Sequence, residues 1–224
     1  MIPDASFWRP ANIMRWLRNQ VIRFVGLTSG RILRDPARAG RGCSVAMQAA
    51  SGVMDRRVVI ALTTTPERVP SLVPTLLSLV EQTVQLDRIL LALPERSARS
   101  GRTYAHPEML PGQVEVLRCE DTNPSIKLLP ALLAEPDALV IAVDEDVIYA
   151  RDFVKTLLCW HKRRLDAGLG WIGLNIEPGV NPEHFWQVWG TTRRTPVEVD
   201  ILLGHGVMAI PPGTFDAQVH DYAG

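Results

Sequence analysis

Cysteine is scarce in this sequence, and its three cysteines are widely spaced, with no Cys-x-x-Cys pair among them. Such an odd-numbered set fits neither a disulfide framework nor a zinc site, and it is compatible with a reducing compartment. The chain also lacks any run of about 18 apolar residues, the length that a membrane-spanning helix needs. The apolar segment and cleavage site of a signal peptide are absent as well. Together these absences predict a cytoplasmic protein.

Net charge is absent too, because 24 basic residues balance 24 acidic ones, but the two signs are unevenly distributed. Residues 1–57 contain ten arginines and three aspartates, a formal charge of +7, so the remainder carries −7. With 46% apolar residues over 224 positions, the composition suits one globular domain with appendages. The charge split predicts a basic arm on a mildly acidic body and argues against nucleic-acid binding.

The arm, which with its linker we place at residues 1–56, contains an imperfect amphipathic helix. Its apolar side chains fall on one helical face: Ile13, Trp16, Leu17, Val21 and Phe24. Arg15 and Arg18 lie mostly away from that face. A basic helix of this kind fits the headgroup region of an anionic membrane, and it equally fits a partner or this protein's own body. The first alternative predicts a peripheral position on the inner face of the cell membrane.

The body, residues 57–224, alternates short apolar runs with stretches of helical periodicity. The runs predict buried strands at 58–62, 89–93, 114–117, 138–143, 171–176 and 207–210. Helical spacing predicts helices at 72–80, 126–133 and 152–166. This alternation is typical of the α/β class, with a mostly parallel Rossmann-like sheet and helices on both faces.

Polar clusters follow three of the predicted strands, at 63–68, 120–127 and 144–146. In an open parallel sheet, ligands bind beyond the carboxyl ends of the strands, so these clusters form the candidate site. The first cluster offers hydroxyl groups and a cation to a nucleotide base, ribose or phosphate. Its candidate donor-binding residues are Thr63, Thr64, Thr65 and Arg68. The alternative is a strand end followed by a capped helix.

The second cluster contains Asp121, which suits a base or ribose, and Lys127, which suits a phosphate as a point charge. A helix capped by Asn123 or Ser125, with a surface lysine, is the equally weighted alternative. In isolation this cluster does not decide between binding and structure.

The third cluster is Asp144-Glu145-Asp146, directly after an apolar strand. Three consecutive acids repel one another strongly unless a cation or a protonation change compensates. Alternate side chains of an extended segment point the same way, so we expect Asp144 and Asp146 to converge while Glu145 points elsewhere. Carboxylate oxygens suit Mg²⁺ or Mn²⁺, which leave positions open for substrate phosphates. The position after a buried strand favours a metal site over a solvated acidic loop.

Taken together, several segments resemble bacterial GT-A-type glycosyltransferases of polysaccharide biosynthesis, the family-2-like enzymes. The matching stretches are 58–68, Glu81-Gln82-Thr83, Glu120-Asp121-(x5)-Lys127-Leu-Leu-Pro130, 143–149, Gly204-His205-Gly206-Val207 and Ile210-Pro211-Pro212-Gly213. The resemblance implies a nucleotide-diphosphate-sugar donor, a glycan or lipid-linked acceptor, and Mn²⁺ or Mg²⁺ held by Asp144 and Asp146. It also implies a donor pocket formed by the 63–68 loop, Asp121, Lys127 and Asp144.

On the acceptor side the sequence departs from this pattern. Such enzymes usually continue past the Pro-Pro-Gly turn into an Asp-Asp pair followed by an aromatic residue. Asp216 and Asp221 do not reproduce that motif, so we expect a chain truncated at its carboxyl end. His205, near the Pro-Pro-Gly strand, is the candidate general base, although a histidine between two glycines also fits a loop role. Trp186 and Trp189 offer stacking surface for a sugar, but the frequent burial of tryptophan favours a core position.

Two alternatives to an active glycosyltransferase stay open. A truncated body with a basic arm fits a non-catalytic nucleotide-binding or membrane-tethered accessory protein. Residues 143–147 also resemble the nucleophile strand of haloacid-dehalogenase-type phosphatases. That strand normally opens its domain, whereas this one follows at least three predicted strands, which makes the phosphatase the weaker alternative.

Overall fold

The structure is a computed structural model, and it describes residues 56–105, 107, 110–121, 123–176, 185–190, 195–216 and 219. The predicted arm helix and its linker up to residue 55 lie outside the described residues, as does Asp221. The described residues belong almost entirely to the predicted body.

Secondary structure in the described residues alternates as the sequence predicts. The strands are β1 (Val58–Thr63), β2 (Arg88–Leu93), β3 (Val114–Arg118), β4 (Leu139–Val143), β5 (Leu169–Gly170), β6 (Ile172–Ile176), β7 (Phe185–Trp189), β8 (Ile201–Leu202) and β9 (Val207–Ile210). The helices are α1 (Val73–Val80), α2 (Leu129–Ala134) and α3 (Phe153–His161), with 3-10 helices at Val69–Ser71 and Asn123–Lys127.

The main sheet has the strand order β3-β2-β1-β4-β9-β5. Strand β1 pairs in parallel with β2 and β4, and β2 pairs in parallel with β3. Only β9 runs the other way, antiparallel to both β4 and β5, so five of the six strands in this sheet share one direction. This arrangement confirms the predicted α/β class with a mostly parallel sheet.

The core lies on both faces of this sheet, because successive side chains of a strand point to opposite faces. Ile60 of β1 joins a cluster with Leu76 of α1 and Val154 of α3. Its neighbour Val59 joins a second cluster with Ala131 of α2. All five side chains are at most 1% exposed, as the continuous apolar run of β1 predicts for a strand covered on both sides. Two buried faces make β1 and β4 a rigid base for the loops that follow them.

Strand β6 belongs to a second sheet, in which it pairs antiparallel with β7 and β8. The strand predicted at 171–176 is therefore present, but it lies outside the main sheet. Close packing at Gly173 accompanies this placement, since a Cβ there would lie 2.5 Å from Cγ2 of Val199. An apolar run indicates that a strand is buried, but it does not say which sheet buries it.

Two predicted helices differ from the observed ones. Region 126–133 holds the end of a 3-10 helix and then α2, because Pro130 lies in the first turn of α2, where its missing N–H is not needed. Region 152–166 is helical only from Phe153 to His161. Beyond that point the backbone N–H groups of residues 163 and 164 bond to carbonyls three residues back, which closes the helix.

Candidate functional site

The acidic triplet follows β4 at the carboxyl edge of the main sheet, beside the 63–68 loop that follows β1. Lys127 Nζ donates to Oδ1 of Asp144 at 2.6 Å, and the backbone N–H of Gly206 donates to Oδ2 at 2.7 Å. The side chains of Lys127 and Asp144 are 13% and 23% exposed, so this ion pair is partly shielded from water. Two distant parts of the chain therefore fix one carboxylate.

Arg68 faces the other two acids of the triplet. Its Nη1 lies 2.6 Å from Oε1 of Glu145 and 3.5 Å from Oδ2 of Asp146. The hydrogen bond to Glu145, more than any other contact, raises the pKa of the Arg68 guanidinium. Residues 145 and 146 form a turn, so the rule for extended segments does not apply to them. Glu145 therefore does not point away from Asp146 as expected; both face Arg68, whereas Asp144 faces Lys127.

A row of polar side chains on α1 holds the backbone of this acidic turn. Thr75 Oγ1 donates to the carbonyl of Glu145 at 2.8 Å, and the N–H of Tyr149 donates to Ser78 Oγ at 3.0 Å. Gln82, two residues beyond the end of α1, bonds to two backbone groups further along the same segment, at 2.8 and 2.9 Å. These residues were not predicted from the sequence. Their spacing of three and four along the helix and just beyond its end was the available signal.

A hairpin over residues 95–104 connects the other predicted donor-binding residues. The N–H of Ala98 donates to Oδ2 of Asp121 at 2.6 Å, and the hydroxyl of Tyr104 donates to the carbonyl of Thr64 at 3.1 Å. Burial, with a smaller contribution from Asp121, raises the pKa of Tyr104. The hairpin turns at Gly101, whose φ is +68°. It links Asp121 to the 63–68 loop, and we did not predict it from the sequence.

The three threonines of the first cluster differ in their surroundings. Thr63 Oγ1 donates to the carbonyl of Ala92 at 2.8 Å. Thr64 is 4% exposed, and its hydroxyl lies 3.4 Å from the carbonyl of Thr65. Thr65 itself is exposed. The first two hydroxyls thus support the local backbone, and Thr65 is the one turned towards solvent.

The remaining predicted residues lie around the second sheet and the turn before β9. His205 is exposed and immediately precedes Gly206, the residue that donates to Asp144. Trp186 is 51% exposed, so the interpretation of this residue as core is wrong. Its place in the small antiparallel sheet, away from the main core, explains the exposure. Trp189 of the same strand is half-buried.

Asp144 and Asp146 are chemically suited to a divalent metal. Both are hard oxygen donors, and their side chains are 23% and 31% exposed. Among the described residues, no group of three or more His, Cys, Asp or Glu side chains converges as a ready metal site. A Mg²⁺ or Mn²⁺ ion at this turn would therefore rely on few carboxylates and on ligand phosphates, which is a common arrangement for these ions.

The chain matches no protein-family model, and no curated protein sequence matches it. In the part of the chain that the structure describes, no helix combines the length and the apolarity needed to cross a bilayer. The functional interpretation therefore depends on the fold and on the geometry at the carboxyl edge of the sheet.

Proposed function

We propose that this chain carries the donor site of a GT-A-type glycosyltransferase with a Rossmann-like fold, which transfers a sugar from a nucleotide diphosphate to a glycan or lipid-linked acceptor. One observation carries the proposal. Two cations from separate loops, Lys127 and Arg68, meet three consecutive acids at the carboxyl edge of a mostly parallel sheet. Ligands of open α/β sheets bind at this edge. The helices that pack on the two core clusters suit the same fold.

In this proposal Asp144 and Asp146 hold Mn²⁺ or Mg²⁺, which supplies positive charge to the diphosphate of the donor. In the free protein Lys127 and Arg68 form ion pairs with the acids of the triplet. When the donor is present, they bind its phosphate oxygens. Asp121, next to the hairpin, lies where a base or ribose contact is expected from the resemblance. Each assignment uses a side chain at the carboxyl edge of the main sheet.

The transfer itself needs a base on the acceptor side. As the acceptor oxygen bonds to the anomeric carbon, the bond from that carbon to the diphosphate oxygen breaks, and the base takes the hydroxyl proton. His205 is our candidate, since it is exposed and adjoins the Gly206 contact with Asp144. The proposed membrane attachment, by contrast, rests on the sequence of the arm alone.

A second function, a non-catalytic nucleotide-binding or accessory protein, is favoured by one observation. Lys127 and Arg68 already neutralise most of the acidic charge without any ligand. A site of this kind binds a nucleotide without catalysing the hydrolysis or transfer of a sugar. The two functions share the donor site and differ in whether a bound sugar nucleotide is hydrolysed or transferred.

The test is calorimetric titration of UDP and of GDP into the chain, with and without Mn²⁺. The proposal expects metal-dependent binding of one nucleotide, weakened at least about 100-fold in Asp144→Asn/Asp146→Asn, because two charged ligands are lost. Asp137→Asn is the matched control, since Asp137 is exposed and lies before β4, at the opposite edge of the sheet. No nucleotide binding by the folded chain would refute the proposal.

A further inference from the structure

Three aromatic side chains form a cluster directly behind the acidic turn. Tyr149 is 3% exposed, and its ring centroid lies 4.7 Å from that of Phe153 and 6.0 Å from that of Trp171. The rings of Phe153 and Trp171 meet edge to face at 5.7 Å. Packed aromatic rings of this kind have few alternative rotamers, so the cluster gives the turn a rigid support.

The hydroxyl of Tyr149 binds both backbone groups of Asp144. It accepts a hydrogen bond from the Asp144 N–H at 2.9 Å and donates one to the Asp144 carbonyl at 3.1 Å. Asp144 is the first residue after β4, where ladder pairing ends and backbone groups need other partners. A single buried phenol therefore fixes both peptide groups that flank the Asp144 Cα, and with them the direction in which the Asp144 side chain leaves the backbone.

Trp171 lies beside the Gly206 turn, which binds the carboxylate of Asp144. The N–H of Gly206 donates to Oδ2 of Asp144 at 2.7 Å. Gly206 adopts a φ of +87°, a conformation that favours glycine, and a Cβ there would lie 3.6 Å from the Trp171 ring. The Trp171 N–H also donates to the carbonyl of Val207 at 3.2 Å, which ties the two segments together.

We propose that Tyr149 is a positioning residue: its hydroxyl holds the backbone of Asp144 and so orients the carboxylate towards the metal and diphosphate. The ligand named here rests on the proposed function, whereas the positioning of Asp144 is a property of the free protein. Tyr149 was not predicted from the sequence to have a role in the site.

The first test compares Tyr149→Phe, which removes only the hydroxyl, with Phe153→Leu, which disturbs the same cluster without touching Asp144. Amide hydrogen exchange measured by NMR reports on the Gly206 N–H. We expect exchange of that proton to accelerate about tenfold in Tyr149→Phe, the size of one lost hydrogen bond. In Phe153→Leu the melting temperature should fall, but exchange at Gly206 should accelerate less than in Tyr149→Phe, because the Tyr149 hydroxyl is still present to bind the Asp144 backbone. Unchanged Gly206 exchange in Tyr149→Phe would overturn the proposal.

The second test titrates UDP and GDP with Mn²⁺ into both variants. We expect about tenfold weaker binding to Tyr149→Phe and a smaller loss for Phe153→Leu, which keeps the hydroxyl. Equal affinity in wild type and Tyr149→Phe, despite faster Gly206 exchange, would also overturn the role of Tyr149 in ligand orientation. If wild type binds neither nucleotide, the donor-site function fails, and the exchange experiment alone still decides whether Tyr149 positions Asp144.

Discussion

The two edges of the main sheet carry clusters of the same charge composition but different construction. At the carboxyl edge, Arg68 and Lys127 meet three acids from consecutive positions. At the amino edge, Arg57 and Arg88 also meet three acids, but these come from separate places: Asp87 before β2, Glu115 in β3 and Glu135 after α2.

This difference in construction separates a structural network from a candidate binding site. Glu135 is 6% exposed and accepts from Arg57 at 2.8 Å and from Arg88 at 2.7 Å, so it joins β1 and β2 to α2. Each acid of that network connects two elements. The three consecutive acids also contact distant segments, but they all lie at one turn, so their mutual repulsion persists. The number of charges therefore does not distinguish a binding site from a structural network. The positions of the charged residues along the chain do.

The largest effect that separates the two edges is expected for Glu135→Gln. The substitution leaves two arginines without their shared acid, and we expect a loss of about 2 kcal/mol in the free energy of unfolding, limited by the exposure of Arg57. Urea denaturation measures it, with Glu198→Gln as a control at an exposed ion pair with Arg164. Nucleotide affinity should not change, and a large drop in affinity would show that the two edges do not act separately.

A smaller effect is expected for Lys127→Met, in which the affinity for Mn²⁺ rises and the affinity for a nucleoside diphosphate falls. Removing the cation 2.6 Å from Asp144 leaves the acidic turn more negative, so Mn²⁺ alone should bind about fivefold more tightly. Nucleoside diphosphate should bind about fivefold more weakly in the presence of Mn²⁺, because a phosphate contact is lost. Lys155→Met on α3 is the control. If both affinities fell together, Lys127 would support the fold rather than the ligand.

The smallest effect concerns acid stability at the amino edge. A hydrogen bond from Arg88 lowers the pKa of Glu115 below its ordinary value of 4.5. Stability from this pair is therefore present above the unfolded pKa and is lost as the pH falls through the lower folded pKa. Half of the Glu115 side chain is exposed, so the effect is modest. Melting temperatures at pH 7 and pH 3 should differ less in Glu115→Gln than in wild type; an identical difference would contradict this assignment.

Much of the main sheet was predictable because its strands are buried on both faces. The run at 138–143 contains only apolar residues, as is typical of a strand buried on both faces. The position of Asp144 at the strand end followed from the same pattern. The direction of the Glu145 side chain did not, since it depends on whether the chain continues extended or turns, and Arg68 lies 77 residues away.

Other features depend on contacts that no local pattern contains. From the sequence alone, Thr75 and Ser78 are ordinary polar residues of a helix. Only the fold, which brings the acidic turn beside them, gives them partners there. Strand β6 has the composition of a buried strand, and only its pairing with β7 and β8 assigns it to the second sheet. Trp186 shows the reverse error, because a large aromatic residue was expected in the core and lies half-exposed on that sheet.

The row of polar side chains on α1 also bears on when the acidic turn becomes ordered during folding. Thr75 and Glu145 are 70 residues apart, so their hydrogen bond requires a long loop to close before it stabilises anything. The turn thus acquires its shape only when α1 docks on the sheet, together with the core around Leu76 and Leu79. In a nascent chain in which α1 has not yet docked, the three acids are present but the turn that positions them is not yet ordered. Any ligand of the turn will in consequence slow the unfolding of α1 as well.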